Sequence, residues 1–265
     1  MGMITMHVEG VSAAYAGRAA VRDVTLPPLR SGETVAVIGP DGAGKSTFLR
    51  RLAGFQRGAG DVDVRDDDKS VPHGNRILYL PQDPPPRSGV TVFDVLEVAA
   101  RLRRGTAPWI DETGIALVLA ELEIEIDHLA GRRLSELSGG QRQLVALGQA
   151  IVRRPDVLLL DEPTSSLDLR NQLDVLHTMV RTAREQPAIV VAVVHDLGLA
   201  ARFADRVVTL RDGRVHSTGT PTEVITAEML EEVYRVEGSV HISEDGALSV
   251  AVARSLPRST EDLRG

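Results

Sequence analysis

The run Thr34 to Ile38 (TVAVI) leads without interruption into GPDGAGKST at Gly39 to Thr47. A short apolar run with no polar face predicts a strand buried on both sides. The glycines that follow demand a tight turn, and Ser46 to Ala53 then carries helical spacing. Gly39 to Ser46 fits G-x-x-x-x-G-K-S between a strand and a helix, the context that gives this pattern its meaning. Backbone N–H groups of Gly39, Pro40's successor Asp41, Gly42, Ala43 and Gly44, with the positive end of the helix, can cradle phosphates there. Lys45 reaches the outer phosphate groups and Ser46 can hold Mg2+. The alternative is a glycine-rich turn that binds nothing, and the flanking strand and helix weigh against it. Asp41 is out of place, because a carboxylate repels phosphate unless it points outward or caps a backbone N–H.

The rest of the chain repeats the buried-strand theme. Continuous apolar runs at Ile77 to Leu80, Val157 to Asp161 and Ile189 to Val194 read as strands, and Gly139 to Val152 and Leu169 to Glu185 as helices. Such alternation predicts an α/β fold with a mostly parallel sheet covered on both faces. Met6 to Val11 and Val21 to Leu26 read as further strands, with a turn at Ser31-Gly32. Helical spacing takes over from Thr91 to Glu136, with Val92, Val95, Leu96, Val98 and Ala99 in one stretch and Ile115 to Leu122 in another. The break at Gly105 to Pro108 divides these into two helices, consistent with a helical insertion. Arg211 to Arg214 (RDGR) signals a hairpin, Thr220-Pro221-Thr222-Glu223 starts a helix, and the polar stretch from Ser255 reads as a frayed end.

Several polar residues fall where these strands end. VLLLDEP puts Asp161 at a strand end with Glu162 after it; the first can hold Mg2+ while the second orients or deprotonates an attacking water. Two acids also cap a following helix well, and only the phosphate loop upstream separates the readings. His195 follows VVAVV and can hydrogen-bond a phosphate at the same edge of the sheet, or serve as a structural histidine. Gln82, in LPQD, offers a neutral amide for Mg2+ or water, or is an ordinary loop residue. Tyr15 is the only aromatic among the first 47 residues; it can stack on a base or pack as a plain ring.

LSELSGGQRQ, Leu134 to Gln143, contains a second glycine loop. Ser138 is a good N-cap, and Gly139, Gly140 and Gln141 open the next helix, so this too is an anion site. It lacks a lysine and the hydroxyl that would follow one. It reads as half a site.

Composition removes other classes. The 265 residues carry a net charge of −7 and no cysteine, which argues against a broad basic footprint for nucleic acid and removes disulfides and thiolate metal sites. Ala188 to Val194, the longest apolar run, is far below the ~18 residues of a membrane span. The N-terminal residues show no basic-then-apolar signal pattern, so a cytoplasmic location is expected. Lys45 and Lys69 are the only lysines among 30 basic residues, and a compact ammonium suits a phosphate cradle better than a planar guanidinium.

Taken in order, Tyr15, GPDGAGKS, PQ, LSGGQ, LLLDEP, SSLD and VVH resemble the nucleotide-binding subunit of ABC (ATP-binding cassette) transporters, from Val8 to about Val236. The resemblance implies a P-loop NTPase (RecA-like) core, an N-terminal antiparallel β subdomain and an inserted α-helical subdomain. It divides the chain into residues 1–90, a helical signature subdomain 91–137, the remainder of the core 138–236, and an extension 237–265. It also implies two copies meeting head to tail, each ATP lying between the loop at Lys45 of one chain and the Ser138 loop of the other. On that basis Tyr15 matches the adenine-stacking aromatic, Gly39 to Thr47 the phosphate cradle, and Lys45, Ser46 and Thr47 its phosphate and Mg2+ contacts. Gln82 matches a sensor of Mg2+ and of the membrane partner, Asp161 the Mg2+-side carboxylate, Glu162 the catalytic base and His195 a γ-phosphate switch. Ser138, Gly139, Gly140 and Gln141 match contacts made in trans, and Asp168 an acid crossing the dimer interface.

VTVFDVLEVAARL and the stretch from His195 to Val236 resemble importers of the metal-chelate group, which take up iron-siderophores, haem or cobalamin through permease subunits and a separate binding protein. The short segment Gly60 to Arg76 also fits manganese or zinc importers. An exporter subunit remains open, as does a soluble cassette acting on ribosome or DNA, although a single cassette with net negative charge and no heptads weighs against the latter. A regulatory clamp that binds ATP without hydrolysis is disfavoured by Glu162 and His195. If the Ser138 loop serves another chain's nucleotide, Ser138→Arg leaves ATP binding by the isolated chain nearly intact and abolishes ATP-driven dimerisation, as read by nucleotide titration and size-exclusion chromatography.

Overall fold

A computed structural model describes residues 3–66, 69–70, 77–83, 85–102, 129–165, 167–186, 188–244 and 247–257. The expected helix at 115–122 and the break at 105–108 lie outside these residues. Strands β1 (Ile4–Tyr15) and β2 (Arg18–Arg30) form an edge-first sheet with β4 (Asp61–Asp66) and β5 (Lys69–Ser70), in the order β2-β1-β4-β5. Both long strands extend well past the expected Met6 to Val11 and Val21 to Leu26. The link between them is Ala16-Gly17, at φ 48° and 79°. A two-residue hairpin needs positive φ at both positions, which alanine does not advertise in a sequence. Strand β4 carries no plain strand pattern: its outward residues are Asp61, Asp63 and Arg65, two of them poor strand formers, while Val62 and Val64 are buried.

The chain divides into two compact units, one of Met1–His7, Pro28–Thr34 and Asp63–Ala192 and the other of Val8–Pro27, Val35–Val62 and Val193–Gly265. In the first, β6 (Ile77–Leu80), β7 (Val157–Leu160) and β8 (Ile189–Val193) are parallel neighbours in the order β8-β7-β6, with Leu160 opposite Leu80 and Ala192. Every residue of β7 and β8 is buried, as a strand covered on both faces requires. Asp161 falls one residue past β7, yet its N–H still donates to Leu80 O at 2.9 Å. The carboxylate is therefore delivered at a fixed height on the sheet.

Helix α2 (Val92–Arg101) begins at a capping box in which Thr91 Oγ1 accepts from Asp94 N at 3.1 Å and Asp94 Oδ2 accepts from Thr91 N at 3.0 Å. The Thr91 hydroxyl, and after it the Thr91 backbone, holds the Asp94 carboxyl below its ordinary range. Helix α3 (Gly139–Val152) buries Leu144, Val145, Leu147, Ala150 and Ile151, and α4 (Leu169–Glu185) buries Val175, Leu176 and Met179 at helical spacing.

In the second unit β3 (Thr34–Ile38) runs parallel to β9 (Arg206–Arg211), and β10 (Arg214–Gly219) returns antiparallel through Asp212-Gly213, the hairpin expected from RDGR. Helix α1 (Lys45–Leu52) follows β3, and α5 (Leu197–Phe203) follows the turn at His195 and Asp196. The expected helix start at Thr220 is a single turn, Pro221–Val224. The chain then forms a hairpin of β11 (Val236–Ile242) and β12 (Leu248–Ser255) that the sequence pattern does not announce. Its alternation is half-buried against exposed rather than buried apolar against charged, a weak signal. Among the described residues no helix is long and apolar enough to cross a membrane.

Phe48 anchors α1 with no exposed surface. Truncation to alanine removes the ring and leaves a cavity, a change that typically costs ~3–5 kcal/mol. Urea unfolding of Phe48→Ala should register a loss of that size.

Candidate functional site

The loop at Gly39 is held by close backbone packing. Gly39 has φ 144°, and a Cβ there would lie 2.2 Å from Leu210 O; Gly44 has φ 97°, with Ala20 O at the same 2.2 Å from its would-be Cβ. Only glycine fits at either place. Around Gly42 a Cβ would meet nothing within 4 Å, so the middle of the loop faces open space. Lys45 is 6% exposed, and its Nζ donates to Gly39 O at 2.7 Å and Pro40 O at 3.0 Å. The loop is thus wrapped around its own ammonium.

Helix α1 has no acidic residue in its first turn and no side-chain cap. Its positive end and the Lys45 charge meet at the same loop, with no helix-borne anion to balance them. That combination fits a polyphosphate, with the N-terminal N–H groups and Lys45 as ligands. Ser46 and Thr47 follow on the first turn, half-buried and buried. The concern over Asp41 is answered by its orientation: the side chain is 94% exposed, with Oδ1 4.0 Å from Lys45 Nζ and 3.9 Å from His195 Nδ1. It points outward and spans two candidate phosphate contacts. His195 therefore lies beside the loop, as its place after β8 led us to expect.

Tyr234 was not anticipated. Burial pushes its phenol up to about 12; the Gly39 backbone beside it pulls the other way, and the negative charge of Asp41 adds to the rise. The hydroxyl is shut off from solvent without a well-formed hydrogen bond among the described residues. The Gly39 backbone gives it partial relief only. Tyr15 stands at the end of β1, 58% exposed, a ring available for stacking.

The first unit carries the carboxylates. Asp161 is 1% exposed and accepts from Tyr79 Oη at 2.8 Å. Glu162 adopts φ 51°, a left-handed conformation that costs a non-glycine residue of order 1 kcal/mol and is often found at working sites. Gln82 Nε2 donates to Glu162 Oε2 at 2.7 Å. An amide from one strand end therefore holds a carboxylate delivered by the next. The two residues singled out separately from the sequence are brought into direct contact. Tyr79, which shares an apolar strand with Ile77, Leu78 and Leu80, was missed; its signal is one polar tip on an otherwise aliphatic run.

Ser138 caps α3. Its Oγ accepts from Gln141 N at 3.1 Å while Gln141 Oε1 accepts from Ser138 N at 3.0 Å. Ser138 is exposed, and Gly139 and Gly140 follow in the first turn. Asp168 caps α4, with Oδ1 accepting from Asn171 N at 2.9 Å and Oδ2 from Asn171 Nδ2 at 3.0 Å. In the single chain both residues satisfy their own helices.

The profile of the ABC transporter family matches residues 22–165. The hemin import ATP-binding protein of Streptomyces coelicolor is 41% identical over 266 residues, 96% of this chain and 92% of that protein. Its counterpart from Rhodococcus jostii is 36% identical, covering 88% of this chain and 80% of its own length. The cobalamin import ATP-binding protein of Halobacterium salinarum is also 36% identical, and here the chain spans 65% of the relative's length. Among solved structures, a metal-chelate type ABC transporter in an inward-facing conformation aligns with a TM-score of 0.76 and 25% identity, over 95% of this chain and 97% of that one. A dimeric ATP-binding cassette in a post-hydrolysis state bound to ADP and Pi aligns at 0.68 and 25%, covering 82% and 98%.

Fold and site together define a P-loop ATPase. The chain belongs to the ABC transporter family, and within it is an ATP-binding, ATP-hydrolysing subunit.

Because Tyr79 holds one oxygen of Asp161, Tyr79→Phe removes one partner of that carboxylate. With Asp161 on the Mg2+ side, as the resemblance implies, loss of such an outer partner typically costs 10- to 100-fold in affinity or activity. We expect the Mg2+ concentration for half-maximal ATP hydrolysis to rise about tenfold, with the ATP requirement at saturating Mg2+ little changed.

Proposed function

We propose that this chain powers an importer of a metal chelate, haem, cobalamin or an iron-siderophore, by hydrolysing Mg-ATP as a head-to-tail dimer. The observation that carries the reading is similarity over nearly the whole length to hemin import ATP-binding proteins, 96% of this chain and 92% of the Streptomyces relative. The metal-chelate transporter with a TM-score of 0.76 supports the same group. Working partners are then integral-membrane permease subunits and, through them, a substrate-binding protein. The chain would sit on the cytoplasmic face of the membrane.

In this reading Lys45 and the N–H groups at the start of α1 take the phosphates, and Tyr15 takes the base. Ser46, Gln82 and Asp161 are the residues that would hold Mg2+, which when bound neutralises phosphate charge and polarises the bond to be broken. An all-protein cage is not needed, since Mg2+ keeps waters and phosphate oxygens among its ligands. Glu162, held by Gln82, accepts the proton of the attacking water, and His195 steadies the outer phosphate. Ser138, Gly139, Gly140, Gln141 and Asp168 act on the partner chain's nucleotide. The 2.7 Å bond from Gln82 to Glu162 supports a base whose orientation responds to the Gln82 loop.

Glu162→Gln tests the chemistry. A positioned general base contributes ~10²- to 10⁴-fold, so turnover should fall at least about a hundredfold while ATP accumulates in a stable dimer on size-exclusion chromatography; unchanged steady-state hydrolysis would refute the role. For cargo, the chain is reconstituted in vesicles with candidate metal-chelate permease and binding-protein pairs. Stimulation of hydrolysis by haem-loaded rather than cobalamin- or siderophore-loaded binding protein identifies the chelate, and stimulation by none of them removes the import reading.

A further inference from the structure

Arg142, the residue after the Ser138 to Gln141 turn, makes two hydrogen bonds that point in different directions. Its Nε donates to Pro85 O at 3.1 Å and its Nη1 to Leu137 O at 2.7 Å. Pro85 lies on the loop that Gln82 begins, and Leu137 is the residue before Ser138. One half-buried guanidinium therefore holds the Gln82 loop and the entry to α3 together. A planar fork with several fixed donors can satisfy two carbonyls at once, whereas an ammonium is a single point.

The backbone reinforces this tie. Ser135 N donates to Ser88 O at 2.9 Å, Leu134 N to Val90 O at 3.0 Å, Val92 N to Arg132 O at 3.0 Å and Phe93 N to Ala130 O at 2.9 Å. Thr91 and Arg133 form an antiparallel bridge. Farther along, Gln149 Nε2 donates to Val95 O at 3.2 Å, joining α3 to α2. The segment leaving the Gln82 loop is thus stitched residue by residue to the segment entering the Ser138 turn. At the end nearest Gln82 and Ser138 themselves, the tie is the Arg142 side chain.

We propose that Arg142 is a positioning residue that makes the Gln82 loop and the Ser138 turn move as one piece, so that the state of a chain's own nucleotide is passed to the contact it offers its partner's. The proposal rests on the roles given above to Gln82 and Ser138. Arg142 acts through these two, by its bonds to Pro85 O and Leu137 O.

A double-mutant cycle on the full-length chain separates this from simple support of α3. Residues joined through one network show coupling of 0.5–3 kcal/mol, and independent ones add. We expect Arg142→Gln to lower kcat for ATP about tenfold in the otherwise native chain but less than about threefold in a Gln82→Ala background. KM for ATP should change by less than about twofold, since the Lys45 loop is not involved. Arg142→Lys keeps the charge and the aliphatic stem; it should fold as the native chain does in thermal melting and still lose most of the kcat, because it cannot bridge both carbonyls. If Arg142→Gln does not fold, Arg142→Lys carries the cycle alone.

Multiplicative effects of the Gln82 and Arg142 substitutions, or native kcat in Arg142→Lys, overturn the proposal. Ser138→Arg and Glu162→Gln run beside them as controls. If these abolish turnover while the cycle shows no coupling, only the Arg142 inference falls; if they leave turnover intact, the reading of the site falls and takes the inference with it.

Discussion

A buried positive charge sets the terms for the loop at Gly39. Lys45 is nearly closed off from solvent, and a charged group in that position needs polar partners to offset its lost hydration. It finds the Gly39 and Pro40 carbonyls, and this forces the loop to curl tightly enough that Gly39 and Gly44 press on the carbonyls of Leu210 and Ala20. Strands β9 and β2 are thereby locked to the loop by contacts that no side chain larger than hydrogen can enter. The anion-seeking character of the site and the rigidity of its frame have one origin.

The carboxylates obey a different constraint. Asp161 and Glu162 are adjacent, yet a buried strand end cannot present both to the same surroundings. The left-handed turn at Glu162 resolves this by sending consecutive side chains to different partners, Tyr79 for the first and Gln82 for the second. One acid is fixed by a phenol and the other is held by an amide on a loop. The fixed one suits a metal-side ligand. The held one suits a group whose orientation changes through the cycle.

What the sequence makes legible is whatever depends on local pattern. The apolar runs of β3, β7 and β8, the capping residues Ser138 and Asp168, and the glycine loop all announce themselves because a single stretch of chain carries the whole signal. The strands joined at Ala16-Gly17 run beyond Met6 to Val11 and Val21 to Leu26 because their turn depends on an alanine at positive φ, which no local pattern signals. Strand β4 was lost behind its aspartates, and the β11–β12 hairpin behind an alternation too faint to separate from a tail. Tyr79, Arg142 and Tyr234 share another reason. Each lies against a residue distant in sequence, and nothing in its immediate neighbours specifies that residue.

The cap at Ser138 has a consequence for what the residue records. A helix start asks only for an acceptor at this position, and by that criterion aspartate and asparagine serve as well as serine. Folding is therefore indifferent among the three. A hydroxyl keeps a proton to give outward while its lone pair serves the helix, as an asparagine amide also does and an ionised aspartate does not. A carboxylate there would turn the same surface against an approaching phosphate without disturbing the chain that carries it. Serine at 138 thus leaves an exposed donor beside its cap, a property that the helix start itself does not require.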